Sequence, residues 1–246
     1  MSADSISITG LLSHWSAPRL REIFGQDPAS AADWVSVLAR EALPQAQLCY
    51  GRMLLDGTAV PKDEAAALKW FRRAADGDDM DAVNMVGRCL DNGWGSAEDP
   101  AAAAEQYRRA AAAGHAWAQY NLGHLYLDGR GVGRDLGQAY GYYLRAAGQR
   151  HARAMNLAGR CCEHGWGTPS DPAAAAAWYQ RSAEAGYFRG QYNWATVLLE
   201  QQRFEEAAMW FERAAAGGPA SMRAVVAAAV ERAGAALCTA SRLSEH

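Results

Sequence analysis

The sequence predicts an all-α solenoid built from a 36-residue helix–turn–helix repeat, and three observations predict it. Gly51, Gly87, Gly123 and Gly159 stand 36 residues apart, and Ala195 continues the series. Asp63, Asp99, Asp135 and Asp171 keep the same interval. Behind each aspartate comes an alanine-rich stretch with aromatics at Trp70/Phe71, Tyr107, Tyr142/Tyr143 and Trp178/Tyr179, then a basic–small block (Arg73, Arg109, Arg145, Arg181). Residue classes this different hold one phase only if a structural unit repeats.

Each element follows from that phase. Helix A runs from a small residue (Ala46, Ala82, Ala118, Ala154, Gly190) through the series glycine. Glycine inside a helix costs about 1 kcal/mol against alanine, so a row of them signals close approach of a neighbouring helix. Gly57, Gly93, Gly129 and Gly165 end helix A in the left-handed conformation. The recurring aspartate then caps helix B by accepting amides of its first turn, and Pro100 and Pro172 take the first helical position. The helix B aromatics fill the space opposite the small residues, and Gly114, Gly186 and Gly218 close that helix.

The ends keep the phase imperfectly, as terminal repeats do. Asp27 and Trp34 lie 36 residues before Asp63 and Trp70, so residues 1–45 read as a degenerate capping repeat. Residues 46–218 form five repeats. The last is shortened, because Gln201-Gln202-Arg203-Phe204 replaces the glycine loop. Residues 219–246 read as a capping helix and tail. Repeats two and four match best, through Gly87-Arg88-Cys89 with Gly159-Arg160-Cys161 and Gly93-Trp94-Gly95 with Gly165-Trp166-Gly167, which implies a duplicated two-repeat unit.

Composition narrows the function. Half the residues are apolar and 21% charged, the balance of a folded chain. A net charge of -3 argues against a broad nucleic-acid or anionic-lipid surface. No run reaches the roughly 18 apolar residues of a membrane span, and Met1–Trp15 lacks the basic start of a secretory signal. Five cysteines without framework spacing suit a reducing cytoplasm.

The string Ala118 to Val132 (AQYNLGHLYLDGRGV), with Asp135, Ala139, Tyr143 and Ala146-Ala147, resembles the Sel-one-like repeat (SLR) family, a relative of the tetratricopeptide repeat. The resemblance spans at least residues 46–218, with Asp78 and Arg150 replacing the closing glycine. It implies a right-handed α/α superhelical solenoid whose inner, concave face is lined by helix A and holds proteins or peptides.

Counted from the series glycine, positions −5, −1 and +3 are small or apolar and belong to the core, whereas −3 and +1 are often polar. These hold Leu48/Arg52, Asn84/Arg88, Tyr120/His124, Asn156/Arg160 and Tyr192/Thr196. Asparagine can pair a backbone amide and carbonyl together, and arginine can grip a carboxylate with two parallel bonds. The stripe therefore reads as a groove for a partner protein or peptide, its arginines favouring an acidic segment or a free C-terminus. The competing reading is an ordinary solvated helix face. Trp94 and Trp166, between glycines in the A–B loops, either cap the core edge or stand out as anchors.

Catalytic and cofactor signatures are missing, so no cofactor, metal or enzyme activity is expected. Cys161-Cys162-Glu163-His164 puts adjacent thiols about 100° apart on one helix, which suits buried small side chains better than a metal site. The Gly-x-Gly loops join two helices and lack the strand-to-helix setting of a phosphate cradle. Two functions remain. The first is a protein-binding scaffold or adaptor. The other is a small-molecule or glycan-binding accessory subunit of a cell-envelope or signalling enzyme.

Overall fold

The structure, a computed structural model, describes the backbone of residues 28–243 and the side chains of residues 32–231. Asp27 as an early cap, the Met1–Trp15 stretch and the Cys238 thiol lie outside the described residues. Among the described residues the chain is a helical repeat solenoid of twelve helices with no strand. It divides into two units, Met1–Arg134 and Asp135–His246.

The first unit contains α1 (Pro28–Arg40), α2 (Pro44–Asp56), α3 (Glu64–Asp76), α4 (Met80–Asn92), α5 (Pro100–Ala112) and α6 (Ala116–Asp128). The second contains α7 (Leu136–Gly148), α8 (Ala152–His164), α9 (Pro172–Glu184), α10 (Phe188–Glu200), α11 (Phe204–Gly217) and α12 (Ala220–Leu243). Within each unit every helix packs on its sequence neighbour, the contact pattern of a quasi-one-dimensional array. Helix A of the repeats is α2, α4, α6, α8 and α10. No described helix is long and apolar enough to cross a membrane.

The small-residue series marks the close approaches. A Cβ on Gly51 would stand 2.6 Å from the Phe71 ring, and one on Gly87 or Gly159 would stand 2.7 Å from the ring of Tyr107 or Tyr179. Phe71, Tyr107, Tyr143 and Tyr179 are buried, and within the units Phe71, Tyr107 and Tyr179 each wedge a ring against the preceding helix A. Burying such a ring is worth on the order of 2–3 kcal/mol. The second aromatic of each pair is half-buried. Trp70, Tyr142 and Trp178 each carry an arginine three residues on, with guanidinium carbons 4.7, 5.0 and 4.9 Å from the ring centres.

The caps account for where helices begin and end. Asp63, Asp99, Asp135 and Asp171 each accept an amide two or three residues ahead, at 2.8 to 3.0 Å. The glycine after helix A is left-handed in all four long loops, with φ between 68° and 72°. The helix B ends keep a left-handed residue even without glycine, since Asp78 (φ 57°) and Arg150 (φ 62°) adopt it where Gly114 and Gly186 stand elsewhere. Gly218 departs from expectation. It leaves α11 in extended backbone (φ −98°, ψ 170°) and hands the chain to α12 without a left-handed turn.

One regularity was not anticipated. His115 and His151, 36 residues apart, cap α6 and α8, with Nδ1 accepting the Ala118 and Ala154 amides at 3.1 and 3.2 Å. They take the place of Asp79, which caps α4 in the same way at 2.9 Å.

The loops seat on the repeat before them. A side chain on Gly95, Gly131 or Gly167 would collide with the backbone at the start of the previous helix B, at Glu64, Pro100 and Leu136 respectively. All three glycines also hold positive φ, so conformation and space require glycine together.

Candidate functional site

The polar stripe of helix A divides into two kinds of residue. Asn84 and Asn156 are only 6% and 4% exposed. Their side-chain oxygens accept from neighbours on the next helix A: Asn121 Nδ2 donates to Asn84 Oδ1 at 3.0 Å, and Asn193 Nδ2 to Asn156 Oδ1 at 2.8 Å. These asparagines clamp consecutive helices of the A series, α4 to α6 and α8 to α10. Expected as groove contacts, they instead serve packing, because position −3 tilts toward the neighbouring helix rather than outward. The sequence signal for their partners was present, since Asn121 and Asn193 are themselves 72 residues apart.

The arginines at position +1 are oriented by aromatic rings. The Arg88 guanidinium lies 5.1 Å from the centre of the Trp94 ring, and that of Arg160 lies 5.0 Å from Trp166. Trp94 and Trp166 are half-buried. Each is the floor of a cation–π pair that fixes an arginine at the junction of helix A with its loop. Arg88 Nη1 also lies 3.4 Å from Met85 Sδ. His164 stacks beside Trp166 at 4.7 Å.

The remaining stripe residues differ between repeats. Arg52 is turned toward Asp81, whose Oδ1 is 3.9 Å from Nη2. The same oxygen lies 3.1 Å from His115 Nε2. The His115 hydrogen bond is the main reason the Asp81 carboxyl titrates below the ordinary carboxylate range, with Arg52 a lesser contributor. Tyr120 stands edge-on to His124 at 4.6 Å and to Trp117 at 5.9 Å. Trp117, 44% exposed, belongs to this cluster and was not singled out from the sequence. Its position holds Gln45, Asp81, Arg153 and Arg189 in the other repeats, polar residues that mark it as outward-facing. Tyr192 is drawn toward the core, edge-on to Phe211 at 5.6 Å, and accepts on its carbonyl from Thr196 Oγ1 at 3.1 Å.

The thiols take no part in such a face. Cys49, Cys89, Cys161 and Cys162 are buried and unbridged. Burial pushes Cys49 and Cys161 up to about 12 and Cys89 to about 11. Among the described residues no three His, Cys, Asp or Glu side chains converge as metal ligands.

Known proteins share this architecture. The sequence profile of the Sel1 repeat family matches residues 44–79, 81–115, 118–151, 152–187 and 189–219. A Sel1 repeat protein from Oxalobacter formigenes is 31% identical, with a TM-score of 0.76 over 81% of this chain and 84% of that one. A protective antigen of uropathogenic Escherichia coli strains, displaying an SLR fold, is 28% identical with a TM-score of 0.70. The match covers 85% of this chain and 46% of the antigen, so this chain spans about half that protein's length. An immunity protein from Pseudomonas aeruginosa, 18% identical with a TM-score of 0.53 over 84% of this chain and 80% of its own, shares the fold. No curated protein sequence matches the chain.

Proposed function

Because this chain belongs to the Sel1 repeat family, whose members are generally non-catalytic scaffolds for protein interaction, we propose that it is an adaptor holding a partner segment along the face of its helix A series. The observation that supports this reading is the repeated arginine–tryptophan pair, Arg88 on Trp94 and Arg160 on Trp166. A guanidinium stacked on an indole keeps its in-plane donors available while its side-chain entropy is already reduced, which favours a carboxylate approaching edge-on. Each unit offers one such pair, so an extended acidic segment or a C-terminal carboxylate is the natural ligand class. Exposed Trp117 with Tyr120 and His124 adds apolar contact area of the kind that dominates binding hot spots. α1 and α12 flank the A–B repeats as capping elements in this reading.

Asn84 and Asn156 hold the helices and do not belong in the test. The informative variant is Arg88→Ala with Arg160→Ala, which leaves both asparagine clamps intact. A partner captured by the full chain is expected to be lost from the double variant, whose circular dichroism stays unchanged. Undiminished capture by the folded double variant would overturn the proposal.

A further inference from the structure

The two-repeat duplication places an acidic corner at corresponding positions of both units, more open in the second, where the Glu163 side chain is 49% exposed, and completes it in only the first. In the first unit, the Asp91 carboxylate sits beside the Tyr107 hydroxyl, with Asp128 and Glu98 adding negative charge nearby. Arg130 fills the corner from the adjoining loop. Its Nη2 is 3.1 Å from Asp91 Oδ1, 3.0 Å from the Asp91 carbonyl and 4.0 Å from Glu98 Oε2. A guanidinium thus neutralises a carboxylate whose side chain is only 17% exposed.

Seventy-two residues later the parts recur without the cation. The Tyr179 hydroxyl donates to Glu163 Oε2 at 2.7 Å, and Glu200 stands in the place of Asp128. The loop that supplied Arg130 is here the shortened turn, with Gln202 at the equivalent position. The arginine of that turn, Arg203, is committed elsewhere, its Nε and Nη2 bonding Glu206 at 2.8 and 2.7 Å. Among the described residues no arginine or lysine comes within ion-pairing distance of Glu163 or Glu200. The nearby basic side chains are Arg160, which acts on Tyr179 from α8, and the His164 imidazole, whose Nε2 is 3.4 Å from Glu163 Oε2. Neither lines the space left behind.

That space is a recess of about 270 Å³ walled by Glu163, Ala176, Tyr179, Val197, Glu200 and Gln201. It falls short of the roughly 300–1,000 Å³ typical of small-molecule pockets and suits a single long side chain. Alanine, valine and the tyrosine ring would cover a methylene stem, and the two glutamates would meet a planar fork of donors.

We infer that this recess receives an arginine side chain presented by a partner protein, in the role that Arg130 plays within the first unit. The site is distinct in composition from the arginine–tryptophan pairs and takes the opposite charge.

The test is a titration of the full chain with N-acetyl-arginine amide, followed by two-dimensional amide NMR, with N-acetyl-citrulline amide as the uncharged isostere. Saturable shifts centred on Tyr179, Val197 and Gln201 are expected with the arginine compound only. Glu163→Gln combined with Glu200→Gln should weaken them by at least about tenfold, the loss of charge assistance from both carboxylates, while the rest of the spectrum is unchanged. Arg130→Ala should open a second saturable site around Asp91. Equal shifts with citrulline, shifts scattered over all acidic surface, or an unaltered titration in the double glutamine variant would each overturn the inference. A dimer of the chain that the arginine amide dissociates would also overturn it, by showing that the arginine comes from a second copy.

Discussion

Tyr107 lies so close over Gly87 that a Cβ there would stand 2.7 Å from its ring, and Tyr179 lies over Gly159 at the same distance. Both rings are buried against backbone, so neither can swing away without opening the core. Gly87→Ala should therefore destabilise the chain by about 1–3 kcal/mol through overpacking, despite the better helix propensity of alanine. Urea unfolding would check this, and an unchanged or raised midpoint would show that the ring has room to move.

The asparagine clamps yield a second expectation. Asn84→Ala removes the acceptor of Asn121 Nδ2, and Asn156→Ala that of Asn193, in each case leaving a partly buried donor unmatched. Each change should cost about 1–3 kcal/mol. Pairing it with the partner asparagine changed to leucine should recover part of the loss in a double-mutant cycle. Additive losses would mean that the two side chains do not act as a pair.

The acid side of the stability profile depends on Asp81. His115 accepts the Ala118 amide on Nδ1, so its ring proton sits on Nε2 and is donated to Asp81. The folded carboxyl titrates lower than it would in the unfolded chain, where an aspartate titrates near about 3.9. Its stabilisation is fully present above that unfolded value and disappears as pH falls through the lower folded one. Asp81→Asn should thus lower the thermal midpoint at neutral pH and flatten its decline in acid. A variant whose midpoint falls with acid as steeply as the parent's would contradict this assignment.

Burial makes the thiols poor nucleophiles. With Cys49 and Cys161 pushed up to about 12 and Cys89 to about 11, at most about a thousandth of each is thiolate at about pH 8. Iodoacetamide should leave these three unmodified for hours in the folded chain and label them promptly in denaturant, as read by peptide mass spectrometry. Rapid labelling of any of them in the folded state would indicate local opening of its helix.

The fold was legible because its determinants are local and periodic. A capping aspartate, a left-handed glycine and a ring opposite a small residue recur at fixed offsets, so Asp99, Gly93 and Tyr107 could each be placed from neighbours in the sequence. The face was less legible because its residues are assigned by tilt toward the next helix, which one repeat in isolation does not reveal. Asn84 and Arg88 lie one turn apart on α4, yet one is a buried clamp and the other a half-exposed cation held by Trp94. The histidine caps were overlooked for a different reason. His115 and His151 do in one place what aspartate does in another, and a search for metal or catalytic spacing passes over a side chain used only as an amide acceptor. The recess by Glu163 was hidden altogether, since it exists only because a loop four residues shorter withholds an arginine.

The glycine of each loop that presses on the start of the previous helix B has an implication for how such chains change length. Everything a repeat needs in order to dock is supplied by its immediate predecessor, so a further 72-residue cassette spliced in at Asp99 or Asp171 would find a ready-made seat and would in turn provide one. Growth by whole cassettes would multiply the arginine–tryptophan pairs at constant local geometry, letting evolution tune avidity for a long guest without redesigning a single contact.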